Sequence, residues 1–429
     1  MNVFLQCTLA ICCSIIWQTQ AQKSNSKLMA AAEGVQEKVI NWRRDFHKNP
    51  ELSNREFETA KKIAKHLKNL GMEVTENVAK TGVIGILKGG KKGKTVALRA
   101  DIDALPVTER APIPFKSTVK TEYLGEKVGV SHACGHDTHI AILMGVAEIL
   151  AKQKKDIKGT VKFIFQPAEE GPPPGEEGGA ELMVKEGVLK NPDVDAIFGL
   201  HIASGLDVGK IRYKPEGTMA ASQRFEIKVK GKQTHGSTPW TGVDPIMVAA
   251  KIIDGLQTII SRESPLTTEA AVITVGKITS GVRYNIIPES ASLVGTIRTL
   301  DYDMQKMINK RMEEMVPAIA KAHRAEATIE ISKGLPITYN DPALTAQVLP
   351  TLQGIAGKDN VILSKAITGA EDFSFYQKEI PGFYFFLGGK PLDAKDPAPH
   401  HTPDFYIDES GLVLGVKTMS QLALDYLNK

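Results

Sequence analysis

The stretch SHACGHDTHI, residues 131–140, gathers three histidines, a cysteine and an aspartate directly ahead of ILMGVAEIL, an apolar run that reads as the buried face of a helix. Thiolate, imidazole and carboxylate together suit zinc or another late divalent cation, and histidine can bind metal only when neutral. The alternative is a crowded polar turn, because Cys134-Gly135-His136 lacks the C-x-x-C spacing of structural zinc sites. Three further polar signals stand where apolar, strand-like runs end. TVALRA runs into Asp101-Ile102-Asp103, VKFIFQPA into Glu169-Glu170, and AIFGL into His201. Each has a plain structural reading: turn residues or helix caps for the aspartates, a solvated turn for the glutamates, a satisfied core histidine for His201. The carboxyl ends of strands border the ligand crevice of an open parallel sheet, so four such groups arriving at one edge favour a site. Two neighbouring carboxylates can then divide the labour, one binding metal and the other taking a proton from water.

The elements that must position these groups follow from periodicity. Helical spacing from Gln36 to Leu70 is broken by the polar turn HKNPELSN at 47–54. Strand-like runs then alternate with helices: VIGIL, TVALRA, the helix after His139, VKFIF, a helix near 179–187, and AIFGL. That alternation predicts a mostly parallel sheet with helices on both faces. PPPGEEGG at 172–179 reads as a flexible loop. Near residue 216 the rhythm changes. FEIKVK at 225–230 alternates apolar and polar, as a strand with one wet face does. Asp244-Pro245 opens a helix running to about Ser261, with Asp as N-cap and Pro in the first turn. AAVITVGKI and ASLVGTIRT are strands, Asp301–His323 a second helix, and ATIEISK a last strand. The order βαββαβ is that of a ferredoxin-like sandwich. After about residue 334 the helix–strand alternation returns, so a small α+β domain is expected inside a larger α/β one.

Composition narrows the class. A chain of 429 residues is long for one domain, and 42% apolar with 24% charged residues is ordinary for a globular protein. A net charge of +4 with no Lys/Arg stripe argues against nucleic acid, and the Lys91–Lys94 run reads as a solvated turn. Residues 1–21 carry no Lys, Arg, Asp or Glu, contain LAICCSIIW and end in Thr19-Gln20-Ala21. This fits a cleaved signal peptide, hence export to a periplasm or the exterior, with a lipoprotein anchor at Cys12 as the lesser alternative. No other membrane segment is expected. Cys7, Cys12 and Cys13 lie in this leader, which leaves Cys134 alone in the mature chain, either a buried small hydrophobe or a working thiolate. His66 and His323 sit on charged helix faces and read as surface residues.

Taken in order, RRDFHKNPELSNREFET, LRADIDALPV, HACGHDTHIA, FIFQPAEE, IFGLHI, THGSTPWTGVDPI, YNIIPE, GTIRT, GAEDFSFY and HHTPDF resemble peptidase family M20. Within it they are similar to the amidohydrolase branch of hippurate hydrolases, N-acyl-amino-acid amidohydrolases and auxin-conjugate hydrolases. The resemblance implies an α/β fold with a metal-dependent exopeptidase-like sheet in two parts, 22–215 and 334–429, and an inserted lid and dimerisation domain at 216–333. It implies two divalent metal ions (Zn²⁺ or Mn²⁺, with Co²⁺ or Ni²⁺ as substitutes) held by Cys134, His136, Glu170, His201 and His401. His400 stands beside His401, and the match of HTP to the family's H-x-P ending favours His401. Glu169 matches the general base, Asp103 the aspartate orienting a ligand, and His235, Asn285 and Arg298 the substrate-reaching groups of the lid. The implied reaction is hydrolysis of an N-acyl amino acid by metal-activated water, with His235 supporting the oxyanion and Asn285 and Arg298 gripping the substrate carboxylate. The implied assembly is a homodimer. A carboxypeptidase or dipeptidase of the same family shares this chemistry. A silent binding protein would have lost a ligand, and a cysteine hydrolase would need no paired glutamates.

Overall fold

The structure is a computed structural model that describes residues 27–392 and 394–429. The expected leader, with Cys7, Cys12 and Cys13, lies outside the described residues. Two compact units are present. The larger takes the chain up to Tyr213, Asn340–Ser364 and Tyr376–Lys429; the smaller takes Lys214–Tyr339 with Lys365–Phe375.

The larger unit is built on an eight-stranded sheet in the order β1-β2-β6-β3-β7-β18-β8-β17. Its strands are β1 (Glu73–Val78), β2 (Gly82–Lys88), β3 (Lys91–Asp101), β6 (Lys158–Gln166), β7 (Ala196–Asp207), β8 (Ile211–Tyr213), β17 (Val361–Leu363) and β18 (Gly382–Lys390). The centre, β6-β3-β7-β18, is wholly parallel. Parallel strands are covered on both faces, which is why TVALRA, VKFIF and FYFFLGG are continuously apolar rather than alternating. Phe163, Phe198 and Phe385 are fully buried there, each contributing roughly 1.5–3 kcal/mol relative to exposure. A helix at 27–48 (α1) precedes α2 (Phe57–Asn69), α3 (His136–Lys152), α4 (Gly179–Lys185), α7 (Pro342–Ala356) and α9 (Leu412–Asn428). Helix α3 is buried from His136 to Leu150 and packs on α9 and β3; hence its apolar residues go all the way round. A two-stranded hairpin, β4 (Lys120–Tyr123) and β5 (Glu126–Gly129), stands apart from the sheet.

The smaller unit contains β9 (Glu216–Met219), β10 (Ala221–Lys230), β11 (Thr234–His235), α5 (Pro245–Thr258), β12 (Ala271–Ser280), β13 (Ile286–Ile287), β14 (Ser290–Thr299), α6 (Tyr302–Ala322) and β15 (Glu326–Ile331). Strand β16 (Thr338–Asn340) and helix α8 (Ser374–Glu379) complete the strands and α-helices of the described residues. The sheet order β12-β14-β10-β15, antiparallel throughout, is the ferredoxin-like arrangement that βαββαβ predicts. Asp244 caps α5 as expected, its carboxylate accepting from the Ile246 and Met247 N–H groups.

Three details depart from the sequence reading. Segment 365–375, read as part of the larger domain, clusters with the smaller unit because backbone groups of Ile367 and Gly369 pair with Thr218 and Ala220. The loop at 172–179, read as flexible, is tethered: Glu176 accepts from Asn54 at 3.0 Å, Arg55 at 2.6 Å and Lys80 at 2.5 Å. His66 is not a plain surface residue; it is half-buried, edge-on to Trp42, with Nε2 3.2 Å from the Met144 carbonyl.

Candidate metal centre

The donors are carried by abrupt turns at the ends of the central strands. Gly135 stands at φ +91, and a Cβ there would lie 2.4 Å from Ile202; only glycine allows the chain to pass from Cys134 straight into α3 with His136 as its first residue. After β6, Pro167 ends the ladder and Ala168 takes φ +51. That turn is pinned from behind: the Ala168 N–H donates to Glu56 Oε1 at 2.9 Å and the Glu170 N–H to Asp103 Oδ2 at 3.0 Å. Glu56 is fully buried and also accepts from Thr81 Oγ1 at 2.5 Å; burial, with the Asp103 charge, pushes it up to about 8. His201 lies inside β7, which continues to Asp207 instead of ending at Leu200, because β18 pairs with it along this length. His401 sits at φ +66, its N–H donating to the Ala133 carbonyl at 2.8 Å.

Hydrogen bonds fix which ring nitrogen faces inward. His136 Nδ1 lies 2.9 Å from the Asp103 carbonyl and 3.1 Å from its carboxylate, so this nitrogen donates and Nε2 is the one left facing the other donors. His201 Nδ1 likewise faces the Ile202 carbonyl at 2.6 Å. Two other histidines are spent on scaffolding. His139 Nε2 accepts from the Ile202 N–H at 2.8 Å while Nδ1 bonds Asp101 at 2.5 Å. His400 Nε2 accepts from the Ser204 N–H at 3.3 Å, and Nδ1 faces the Cys134 carbonyl at 3.1 Å. Both nitrogens of His400 are thereby occupied, and those of its neighbour His401 are not committed in this way.

Around the inward nitrogens the donors converge. Cys134 Sγ lies 3.3 Å from Nε2 of both His201 and His401. Glu170 Oε1 is 3.0 Å from His401 Nε2 and 4.0 Å from His136 Nε2; Glu169 Oε2 is 3.8 Å from His136 Nε2. Three overlapping triads result, each with ligand atoms within 4.8 Å of one another: Cys134–His136–His201, Cys134–Glu170–His401 and His136–Glu169–Glu170. A fourth, Asp101–His136–His139, is closed by the scaffolding bonds above and by Arg99, whose guanidinium reaches Asp101 at 2.6 Å. The buried His136 Nε2 has no hydrogen-bond partner among the described residues. A divalent cation would satisfy it, and the mixture of S, N and O donors suits a late divalent metal such as zinc. Electrostatics agree. Burial would lower His136, yet the charges of Asp101, Asp103 and Glu170 raise it to about 10. Burial, then Glu170 and Glu169, push the Cys134 thiol well up. The His136 shift, and after burial the Cys134 shift, reflect surplus negative charge, which a bound cation would relieve by displacing protons. A nucleophilic cysteine needs the opposite surroundings.

His235, Asn285 and Arg298 all belong to the smaller unit. His235 is exposed; its Nδ1 accepts from the Ser237 N–H at 3.0 Å, which places the proton of the neutral ring on Nε2. Capping of its own turn and a reaching Nε2–H are therefore compatible. The Gly236 N–H donates to the Asn285 carbonyl at 2.9 Å, holding these two residues together, and Asn285 Oδ1 is buried with no partner among the described residues. Arg298 is half-buried on β14, bonded to Thr296 Oγ1 and, at 3.2 Å, to the Ile297 carbonyl. Sequence reasoning misses the buttresses. His139 could have been found from its i+3 spacing to His136 on one helix. Arg43 and His47, spaced i, i+4, clamp Asp137 at 2.7 and 2.9 Å, but nothing local marks their distant partner.

The model of peptidase family M20/M25/M40 matches residues 97–425. The chain is 40% identical to thermostable carboxypeptidase 2 of Saccharolobus solfataricus, over 94% of this chain and 99% of that protein. It is 36% identical to N-acetylcysteine deacetylase of Bacillus subtilis, over 90% and 96% respectively. A Bacillus subtilis structure titled a dinuclear metal-binding peptidase of family M20 superposes with a TM-score of 0.77 at 35% identity, covering 92% of this chain and 99% of that one. With a matching fold and a site whose donors suit metal, the chain belongs to peptidase family M20/M25/M40 and is a metallohydrolase.

Proposed function

We propose that this enzyme hydrolyses the amide bond of N-acyl amino acids. The observation that carries the reading is the paired turn: adjacent Glu169 and Glu170 both face His136, but only Glu170 also meets His401 and Cys134 in a triad. One carboxylate is thus assigned to metal with Cys134, His136, His201 and His401, and the other to protons. These residues would hold two divalent ions, which when bound would supply Lewis-acid chemistry to the carbonyl and lower the pKa of water. Glu169 takes the proton of the attacking water and returns it to the leaving amine. Asp103 fixes His136 and the Glu170 backbone at once, so one aspartate holds both the start of α3 and the turn after β6. His235 Nε2–H is assigned to the developing oxyanion, and Asn285 and Arg298 to the free carboxylate, which Arg can bind bidentately. The smaller unit serves as lid and dimer contact, with His235 acting on the partner's site, and the chain is exported with its leader removed. A carboxypeptidase or dipeptidase reading is supported by the carboxypeptidase relative from Saccharolobus solfataricus. The deciding assay offers protein loaded with Zn²⁺ or Mn²⁺ a panel of N-acetyl, N-benzoyl and indole-acetyl amino acids with dipeptides. Turnover confined to peptides would replace the amidohydrolase reading by the peptidase one.

A further inference from the structure

The segments KGGKKGK at 88–94 and KQKKDIKG at 152–159 are far apart in sequence, and the fold lays one across the other. Strand β6 lies between β2 and β3, antiparallel to the first and parallel to the second, so the link from β2 to β3 must cross the start of β6. Backbone groups clasp the crossing. The N–H groups of Gly89, Gly90 and Lys91 donate to the carbonyls of Gly159, Lys154 and Ile157 at 2.8, 2.8 and 3.2 Å. A Cβ at Gly90 would stand 2.3 Å from the Lys155 carbonyl oxygen, so glycine is what lets the segments approach.

The crossing turns what reads in sequence as a solvated turn into a platform of six exposed lysines: Lys91, Lys92, Lys94, Lys154, Lys155 and Lys158. None of the six forms an ion pair among the described residues; Lys94 lies over the Tyr426 ring at 5.0 Å. Their neighbours Lys88 and Lys152 are paired with Glu73 and Glu148. Asp156 and Asp195 adjoin the six, and Asp195 already accepts the Thr95 N–H at 2.7 Å, so positive charge is in clear excess. The platform sits where β3 and β6 begin, whereas the metal donors follow the ends of these strands. With 11 residues in β3, at ~3.3 Å each, the two sites are about 30 Å apart.

We propose that this end of the larger unit docks on an anionic lipid surface and leaves the metal centre at the free end. The two segments contain neither arginine nor an aromatic residue, so they lack the forked donors and stacking faces by which nucleic acid is gripped. Ammonium groups spread over the blunt end of a sheet suit a plane of anionic headgroups instead. A second observation points the same way. Arg43 pairs with Asp137 at the start of α3 and Lys38 with Glu148 near its end, so α1 runs antiparallel to α3 and begins at the lysine end. The apolar leader read in residues 1–21 is therefore joined to the chain on that side, and a chain leaving a membrane presents the lysines to it. The choice of lipid rests in part on the export reading above.

The test sediments the metal-loaded protein with vesicles of phosphatidylcholine alone or of equal parts phosphatidylcholine and phosphatidylglycerol. Two charge-reversed variants alter the platform, Lys91→Glu with Lys92→Glu and Lys154→Glu with Lys155→Glu. A third, Lys306→Glu with Lys310→Glu on α6, changes the net charge equally at another place. The parent should bind the anionic vesicles and not the neutral ones, and should release them as salt rises. Each platform variant should lower partitioning about tenfold or more, and the α6 variant less than about threefold. Melting points and metal content should match the parent's in all three, because every altered side chain is exposed. Equal binding to neutral vesicles, or an equal loss in the α6 variant, overturns the proposal. So does preference for duplex DNA over anionic vesicles, which would make the platform a polyanion site. N-terminal sequencing of the protein from the cells that make it reads the fate of the leader separately, so a failure of the export reading leaves the vesicle result standing.

Discussion

Glu169 and Glu170 are neighbours in sequence and near-equals in distance to His136, at 3.8 and 4.0 Å, so their difference must come from the rest of the cluster. Glu169→Gln should keep its metal content and lower kcat by roughly 10²–10⁴-fold, the usual worth of a general base. Glu170→Gln should lose metal, because its partners His401 and Cys134 are donors of the same cluster. Elemental analysis beside kinetics checks both, and the opposite pattern would reverse the two roles. At this scale Asp103, Glu169, Glu170 and His201 draw notice in sequence as polar groups after apolar runs, whereas the full donor set with His401 comes from the family resemblance, and the strand beneath His201 in fact continues to Asp207. What holds them is not legible there. Glu56 under Ala168, Ser53 against Asp103 at 2.7 Å, and His139 behind His201 are long-range pairs. Their side chains look like caps and turn residues until the fold closes. The choice of His401 over His400, made in sequence on the H-x-P resemblance alone, gains a physical reason only in three dimensions, where both ring nitrogens of His400 are spent.

Elements were easier to read than contacts, for a physical reason. Period and capping are local, and both units are rich in local signals. Asp244 followed by proline announced α5, and the structure gives that carboxylate the Ile246 N–H at 2.9 Å. Asp244→Ala should therefore destabilise the protein by about 1 kcal/mol, seen as a lower denaturation midpoint, without altering metal content. A larger loss, or a loss of metal, would mean that the residue does more than cap. The length of β7 and the membership of 365–375 were not legible, because both depend on strand pairing with chain that comes much earlier or later. The β4–β5 hairpin carried no signal because its turn, Leu124-Gly125 with both φ positive, breaks the residue preference by which hairpins are found.

Across the whole molecule, burial of charge sets a pH window. His47 is 1% exposed, with Asp137 and Glu109 each 2.9 Å from one ring nitrogen. Burial alone would lower it, and Arg43 opposes its charge, but Asp137 and the two hydrogen bonds prevail and raise it above its ordinary value. A raised folded value means that the protonated ring stabilises the fold fully below the unfolded value near 6.5, and that this contribution fades as pH rises through the folded value. His47→Gln should thus cost roughly 1.5–3 kcal/mol below pH 6.5, and the gap from the parent should narrow on going to alkaline pH. Melts of both proteins between pH 6 and 9 measure it; a gap that widens would contradict the assignment. Assembly is tested by mixing Glu169→Gln with His235→Ala under subunit exchange. If His235 serves the partner's site, each mixed dimer has one site with both native groups, and up to roughly half of native activity returns. Activity that stays at the level of the separate variants, with mixed dimers seen by native mass spectrometry, would confine His235 to its own subunit.

The larger unit is threaded from three separate lengths of chain, and its sheet receives β18 between β7 and β8 only from the last of them. At ~5–20 residues per second, a ribosome needs roughly 10–40 s to travel from His201 to His401. During that interval the nascent chain carries Cys134, His136, Glu170 and His201 beside an unfilled slot in the sheet, and the βαββαβ insertion, Ala221–Ile331, is made in full before His401 emerges. The triad that needs His401 can therefore close only near the end of synthesis, while the two triads without it are complete in the chain before the insertion is made.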